Sequence, residues 1–152
     1  MALILNLETA TKNCSVSLSH GGQCISLVEE ATADYSHGEQ LHLFIDACLE
    51  KAGKTFSEIQ AVSVSGGPGS YTGLRIGVSA AKGLCFALQI PLIVLPTLQV
   101  LAHQQQTENA YVIPFMDARR MEVYAAVFDS RNQTVKAAFP EVLTSESFQE
   151  YL

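Results

Sequence analysis

A mixed α/β architecture, built twice from one β-β-β-α-β-α unit, is the fold this sequence predicts. Three observations predict it. Three strand-like runs and a helical run fill residues 3–52. A strand, a glycine turn and a helix follow at residues 61–88. The three-strand pattern then begins again at Tyr111.

Each element has a local reason. Leu3 to Leu7 is apolar enough for a buried strand, and Cys14 to Leu18 alternates apolar with polar. Gly21-Gly22 turns the chain into a third strand, Cys24 to Glu29, which completes a meander. A helix of about 15 residues comes next by its 3.6-residue period. Leu41, Phe44, Ile45, Cys48 and Leu49 share one of its faces, and Gly53 supplies the stop. Ala61 to Ser65 runs into Gly66-Gly-Pro-Gly-Ser-Tyr-Thr-Gly-Leu-Arg-Ile-Gly77, which opens a helix reaching Leu88. Leu92 to Leu95 reads as a short buried strand between Pro91 and Pro96, and Thr97 caps a helix to Gln106.

In the second unit, Tyr111–Met116, Glu122–Asp129 and Thr134–Leu143 read as strands. Thr144 or Ser145 then caps a helix. The repeat stops inside that helix, so a first lobe, residues 1–108, and an incomplete second lobe, residues 109–152, are expected of a fragment. Such a duplication is the plan of the actin-like fold, also called sugar kinase/Hsp70-like or ribonuclease H-like, with two mixed lobes around a cleft. Fold alone does not give function.

Composition narrows the class. Hydrophobic residues make up 48% of the 152 and charged residues 16%, as in a well-buried globular chain. No apolar run reaches the ~18 residues of a membrane span, and the N-terminus lacks a basic leader region, so cytoplasmic residence is expected. Cys14, Cys24, Cys48 and Cys85 are scattered beside apolar runs, which reads as buried reduced thiols rather than a metal set. Net charge is −6, and Arg119-Arg120 is the one adjacent basic pair. Nucleic-acid affinity comes largely from clustered cations, so this chain alone is a poor holder of RNA or DNA.

The glycine segment needs an explanation. Gly69, Gly73, Gly77 and Ala81 recur every fourth residue and form a bare ridge on a helix. Each helical glycine costs roughly 0.5–1 kcal/mol relative to alanine. Close packing or a ligand that uses free N–H groups must offset that. No Gly-Lys-Ser/Thr follows the glycines, and Gly67-x-Gly69-x-x-x-Gly73 is one residue too long for a dinucleotide fingerprint. The glycines also run past the first turn, where N-terminal effects fade. Packing is the favoured reading. A phosphate grip remains the alternative: a nucleotide-binding enzyme using Glu8, Thr9, Gly69, Asp117 and Arg119 around the turn. Glu8 and Asp117 follow the first strand of each unit, so they either face the cleft as a pair or close their own turns. Asp117 can also pair with Arg119 or Arg120. His37 and His42 are five apart and share no ligand face, while His20 and His103 stand alone.

Several segments together resemble one family. They are Ile4-Leu-Asn-Leu-Glu-Thr-Ala-Thr-Lys-Asn-Cys-Ser-Val16, His37-Gly-Glu-Gln-Leu41, the run Ser65 to Gly77, Ala81-Lys-Gly-Leu84 and Asp117-Ala-Arg-Arg-Met-Glu-Val-Tyr124. They are similar to the TsaB (YeaZ) family, the bacterial partner subunits in synthesis of threonylcarbamoyladenosine at position 37 of tRNAs. Glu8 stands where that family more often has Asp. The resemblance implies a non-catalytic subunit with no cofactor or metal of its own. It implies binding to the transferase TsaD and, in a ternary complex, the ATPase TsaE, with tRNA met only indirectly and self-pairing when alone. TsaD carries a His-x-x-x-His metal pair, and alignment on Ile90-Pro91 puts Thr97 and Leu101 at those positions, with His103 out of register. Neither protease chemistry nor a metal site is expected. The expected partner surface is the ridge Gly73, Leu74, Gly77 and Ala81 with Leu41, Phe44, Ile45 and Cys48 beside it. Were the ridge to face the chain's own sheet instead, Gly77→Leu would unfold the monomer.

Overall fold

In the computed structural model, residues 1–31, 37–105 and 110–151 are described. They divide into two compact units, Met1–Leu95 and Pro96–Leu152.

The first unit begins with β1 (Leu3–Glu8), β2 (Asn13–His20) and β3 (Gln23–Ala31), an antiparallel meander. Gly21 and Gly22 turn β2 into β3 with φ of 61° and 81°, a conformation glycine adopts without steric cost. α1 (His37–Ala52) leads to β4 (Ala61–Ser65), which pairs with β1 in parallel. α2 (Tyr71–Leu88) then leads to β5 (Leu92–Leu95), parallel to β4. The order is β3-β2-β1-β4-β5, and the helices supply the crossovers that parallel neighbours need. α1 ends where the sequence predicts. Gly53 sits at φ 63°, and the Gly53 and Lys54 amides donate to the Glu50 and Leu49 carbonyls (2.9 Å each).

Alternation decides which sheet face meets the helices. Leu3, Leu5 and Leu7 of β1, Cys14, Val16 and Leu18 of β2, and Val62 and Val64 of β4 join Leu41, Ile45, Cys48 and Leu49 of α1 in one buried core. The opposite face carries a polar cluster on β1, β2 and β4. Asn6 Nδ2 donates to Ser17 Oγ (3.2 Å) and Ser19 Oγ (3.3 Å), and Ser63 Oγ donates to Asn6 Oδ1 (2.7 Å). These side chains partner one another, which removes the desolvation cost of an unpaired group. β5 corrects an expectation. It forms the sheet edge with exposed Ile93, Val94 and Leu95, because it has a strand neighbour on one side only.

The second unit holds α3 (Thr97–His103), β6 (Tyr111–Val112), β7 (Phe115–Arg119), β8 (Glu122–Asp129) and β9 (Thr134–Val142). β6 and β7 keep one register along β8, Val112↔Phe128 and then Phe115↔Ala125. They are therefore one expected strand interrupted at Ile113-Pro114, since proline has no N–H to donate. With β9 on the other side of β8, the three-strand pattern is present. Leu98 and Ala102 of α3 pack with Ala126 and Phe128, which places this helix in the second unit. The expected boundary, at residues 108 and 109, lies outside the described residues, as does Gln106. The helix expected from Thr144 is absent through Tyr151. Thr144 Oγ1 accepts from the Glu146 amide and Ser147 Oγ from the Thr144 amide, closing turns that lead into a 3-10 turn, Gln149–Tyr151.

Candidate functional site

The glycine segment and the turn after β1 form one tightly bonded knot. Ser70 caps α2, its side chain accepting from the Gly73 amide (3.2 Å). The Ser70 amide donates to Ala10 O (2.7 Å), and Thr9 Oγ1 donates to Gly73 O (2.8 Å). Thr9 and Ala10 are buried. A Cβ at Gly69 would lie 2.7 Å from Ala10 Cβ and O, and one at Gly77 would overlap Thr9 Oγ1. The ridge is bare so that the β1–β2 turn can lie against it.

This overturns the expected partner surface. Gly73, Gly77 and Ala81 are buried beneath the chain's own turn and sheet. Leu41, Ile45 and Cys48 are core residues, while Phe44 packs against that core and Leu74 is half-buried. The side that alternation turns inward is the apolar side of each helix, and the sheet covers it. The outward sides carry what the sequence reading passed over. Leu43 is 65% exposed on α1 and Phe86 81% on α2. Gly83, inside α2, has nothing within 4 Å of where a Cβ would sit. Their signal was in the sequence as residues out of phase with the buried stripe: Leu43 between Leu41 and Ile45, Phe86 five beyond Ala81.

The carboxylates also find partners nearby. Glu8 Oε1 accepts from the Ala10 amide (2.7 Å), and Ser65 Oγ donates to Glu8 Oε2. Asp117 Oδ1 accepts from the Arg119 amide (2.8 Å). Each acid thus closes its own turn, and among the described residues Asp117 makes no ion pair with Arg119 or Arg120. The structure brings Glu8, Thr9 and Gly69 together in the first unit. Asp117 and Arg119 stand together in the second. Ser65 and Ala10 are the members of the knot that sequence reasoning missed, because nothing local pairs residue 8 with residue 65.

The cysteines are free. Cys14 and Cys48 are buried as expected, whereas Cys24 is exposed on the sheet-edge strand β3 and Cys85 is half-buried on α2. Burial, and to a smaller extent the neighbouring Glu8 charge, pushes the Cys14 thiol up, and burial pushes Cys85 the same way. His20 Nε2 donates to Met1 O (3.1 Å) and His103 Nδ1 to Gln99 O (2.9 Å), each a local tie. Among the described residues no three His, Cys, Asp or Glu side chains are grouped to hold a metal ion. No helix among them is long and apolar enough to cross a membrane.

Comparison with known proteins agrees with this layout. The family model for TsaD, tRNA N6-adenosine threonylcarbamoyltransferase, matches residues 29–148. The tRNA threonylcarbamoyladenosine biosynthesis protein TsaB of Haemophilus influenzae is 34% identical over 125 residues, 80% of this chain and 51% of that protein. The chain thus spans about half the length of the curated relatives it matches. YeaZ from Pseudomonas aeruginosa superposes with a TM-score of 0.80 at 32% identity, covering 94% of this chain and 68% of that one. The ethanolamine utilization protein EutJ from Carboxydothermus hydrogenoformans, at TM-score 0.51 and 12% identity, shares the fold alone over 93% of this chain and 51% of its own. The architecture is of the actin-like, sugar-kinase class.

Proposed function

Since this chain belongs to the TsaB (YeaZ) family, we propose that it serves threonylcarbamoylation of tRNA adenosine as a non-catalytic partner subunit. It binds the TsaD-type transferase through the outward sides of α1 and α2, and a TsaE-type ATPase joins through that complex. The same surface serves self-pairing when the chain is alone. ATP and metal belong to the partners.

The observation that carries this reading is the composition of those outward sides. Leu43 and Phe86 hold large apolar surface in water, and burying such a side chain is worth about 1.5–3 kcal/mol. Gly83 costs α2 about 1 kcal/mol as an internal glycine, with no neighbour in the chain to justify it. A helix of another molecule crossing at Gly83 would account for both. Weighing against the nucleotide grip, both Glu8 oxygens, the Thr9 hydroxyl and the Ser70 and Gly73 amides are engaged within the chain.

The test is assembly with the cognate transferase subunit, followed by light scattering and titration. Leu43→Asp, Phe86→Ala and Gly83→Leu should each fold and weaken the complex, the aromatic truncation by tenfold or more, as for a buried anchor worth about 2 kcal/mol. Wild-type affinity in all three folded variants would refute this surface. Micromolar nucleotide binding with turnover by the isolated chain would revive the enzyme reading.

A further inference from the structure

We infer that the β7–β8 hairpin is a contact for the phosphate backbone of RNA, through the guanidinium groups of Arg119 and Arg120. The inference rests on the tRNA-modification reading above and goes beyond it, since that reading leaves RNA to the partners. Its first support is backbone geometry. Arg119, Arg120 and Met121 stand consecutively at φ 71°, 53° and 62°, in the left-handed region that residues with a Cβ avoid. Two-residue hairpin turns ordinarily place Asn-Gly or Asp-Gly there. The turn is held regardless. Asp117 Oδ1 accepts the Arg119 amide (2.8 Å), and Met121 O accepts the Leu143 amide (2.8 Å). Turn stability thus argues against this choice of side chains, so their use lies in what they present.

What they present is charge in water. All three residues are exposed. Arg119-Arg120 is the one adjacent basic pair in a chain of net charge −6. Among the described residues neither guanidinium enters an ion pair. Of the two flanking carboxylates, Asp117 spends an oxygen on the turn itself, and Glu122, the cross-strand partner of Arg119, forms no ion pair with either guanidinium among the described residues. Planar guanidinium forks match phosphate oxygens in pairs, which lysine does not. A narrow tip with two such forks fits one or two phosphates, enough to position an RNA that a partner holds.

The experiment uses the complex with the transferase subunit, first assembled without RNA and then titrated with unmodified tRNA transcript over a range of KCl. Two double variants are compared with wild type. One is Arg119→Gln with Arg120→Gln; the other is Arg120→Asn with Met121→Gly, which restores the common turn and should melt later than wild type. The first should bind tRNA more weakly, with a log–log salt slope shallower by about 1.4–1.8, or 0.7–0.9 for each phosphate no longer neutralised. The second should give about half of that change. An unchanged slope and affinity in both would overturn the inference. So would weakened assembly in the absence of RNA, which would make the tip an acidic-protein contact. If wild-type subunits do not assemble, the partner reading fails separately. The same tRNA titration of the full chain alone at low salt then decides the hairpin's role.

Discussion

Gly77 and Gly83 lie on one helix six residues apart and carry opposite expectations. A methyl at Gly77 would press into Thr9. Gly77→Ala should therefore destabilise the chain by about 1–3 kcal/mol, the usual range for overpacking. A Thr9→Ala/Gly77→Ala double mutant should show coupling of at least about 1 kcal/mol in urea unfolding, because the two sites share one space. Gly83→Ala meets open space, so the same measurement should show a gain of about 0.5–1 kcal/mol. The fourfold spacing of small residues made the ridge legible in the sequence. What lies against it was not legible, since Thr9 is 64 residues from the Gly73 carbonyl it bonds. Glu8 gives the same lesson: its position at a strand end was readable, its Ser65 partner was not.

Among the elements, the ones with strong internal period were readable nearly to the residue. α1 was expected from its apolar stripe and glycine stop, and it runs His37–Ala52 before Gly53. Where packing outweighs local preference, reading fell short. The segment after Thr144 has a helix-start signature, yet Phe148 leaves helical geometry (φ 64°) and packs 5.0 Å from Phe115 and 6.2 Å from Phe139, ring centre to centre. Tyr151 meets Tyr111 edge-on at 5.3 Å. Such aromatic pairs contribute about 0.5–1.5 kcal/mol each beyond area burial, enough to outweigh a marginal first turn. β5 (Leu-Ile-Val-Leu) is the more apolar in sequence, yet all five residues of β4 (Ala-Val-Ser-Val-Ser) are buried between two strand neighbours and β5 is the edge. Amide hydrogen exchange should rank them accordingly, β4 slowest and β5 and β9 markedly faster. Equal protection of β4 and β5 would contradict this burial order.

For the molecule as a whole, thiol burial predicts an alkaline limit. The folded Cys14 thiol titrates above its unfolded value, chiefly by burial and secondarily through Glu8. The stabilisation is therefore fully present below the ordinary thiol value of about 8.5 and is lost as pH rises toward the folded value. Urea unfolding from pH 7 to 10 should show stability falling in the upper part of that range. Cys14→Ala should lessen the fall without abolishing it, because Cys85 shifts in the same direction. A pH-independent unfolding free energy would refute the assignment.

The β-β-β-α-β-α order, the turns at Gly21-Gly22 and Gly53, and the family resemblance were all legible in the residues alone. Those depend on periodicity and on backbone freedom within a few residues. Which side of each helix stays outside the core follows from long-range packing. A stripe of small or apolar residues says that something must pack there, and the sheet and the Thr9-Ala10 turn occupy that place first. The side left exposed is then the opposite one, marked by Leu43, Gly83 and Phe86, residues whose place outside the core becomes visible once the core is filled.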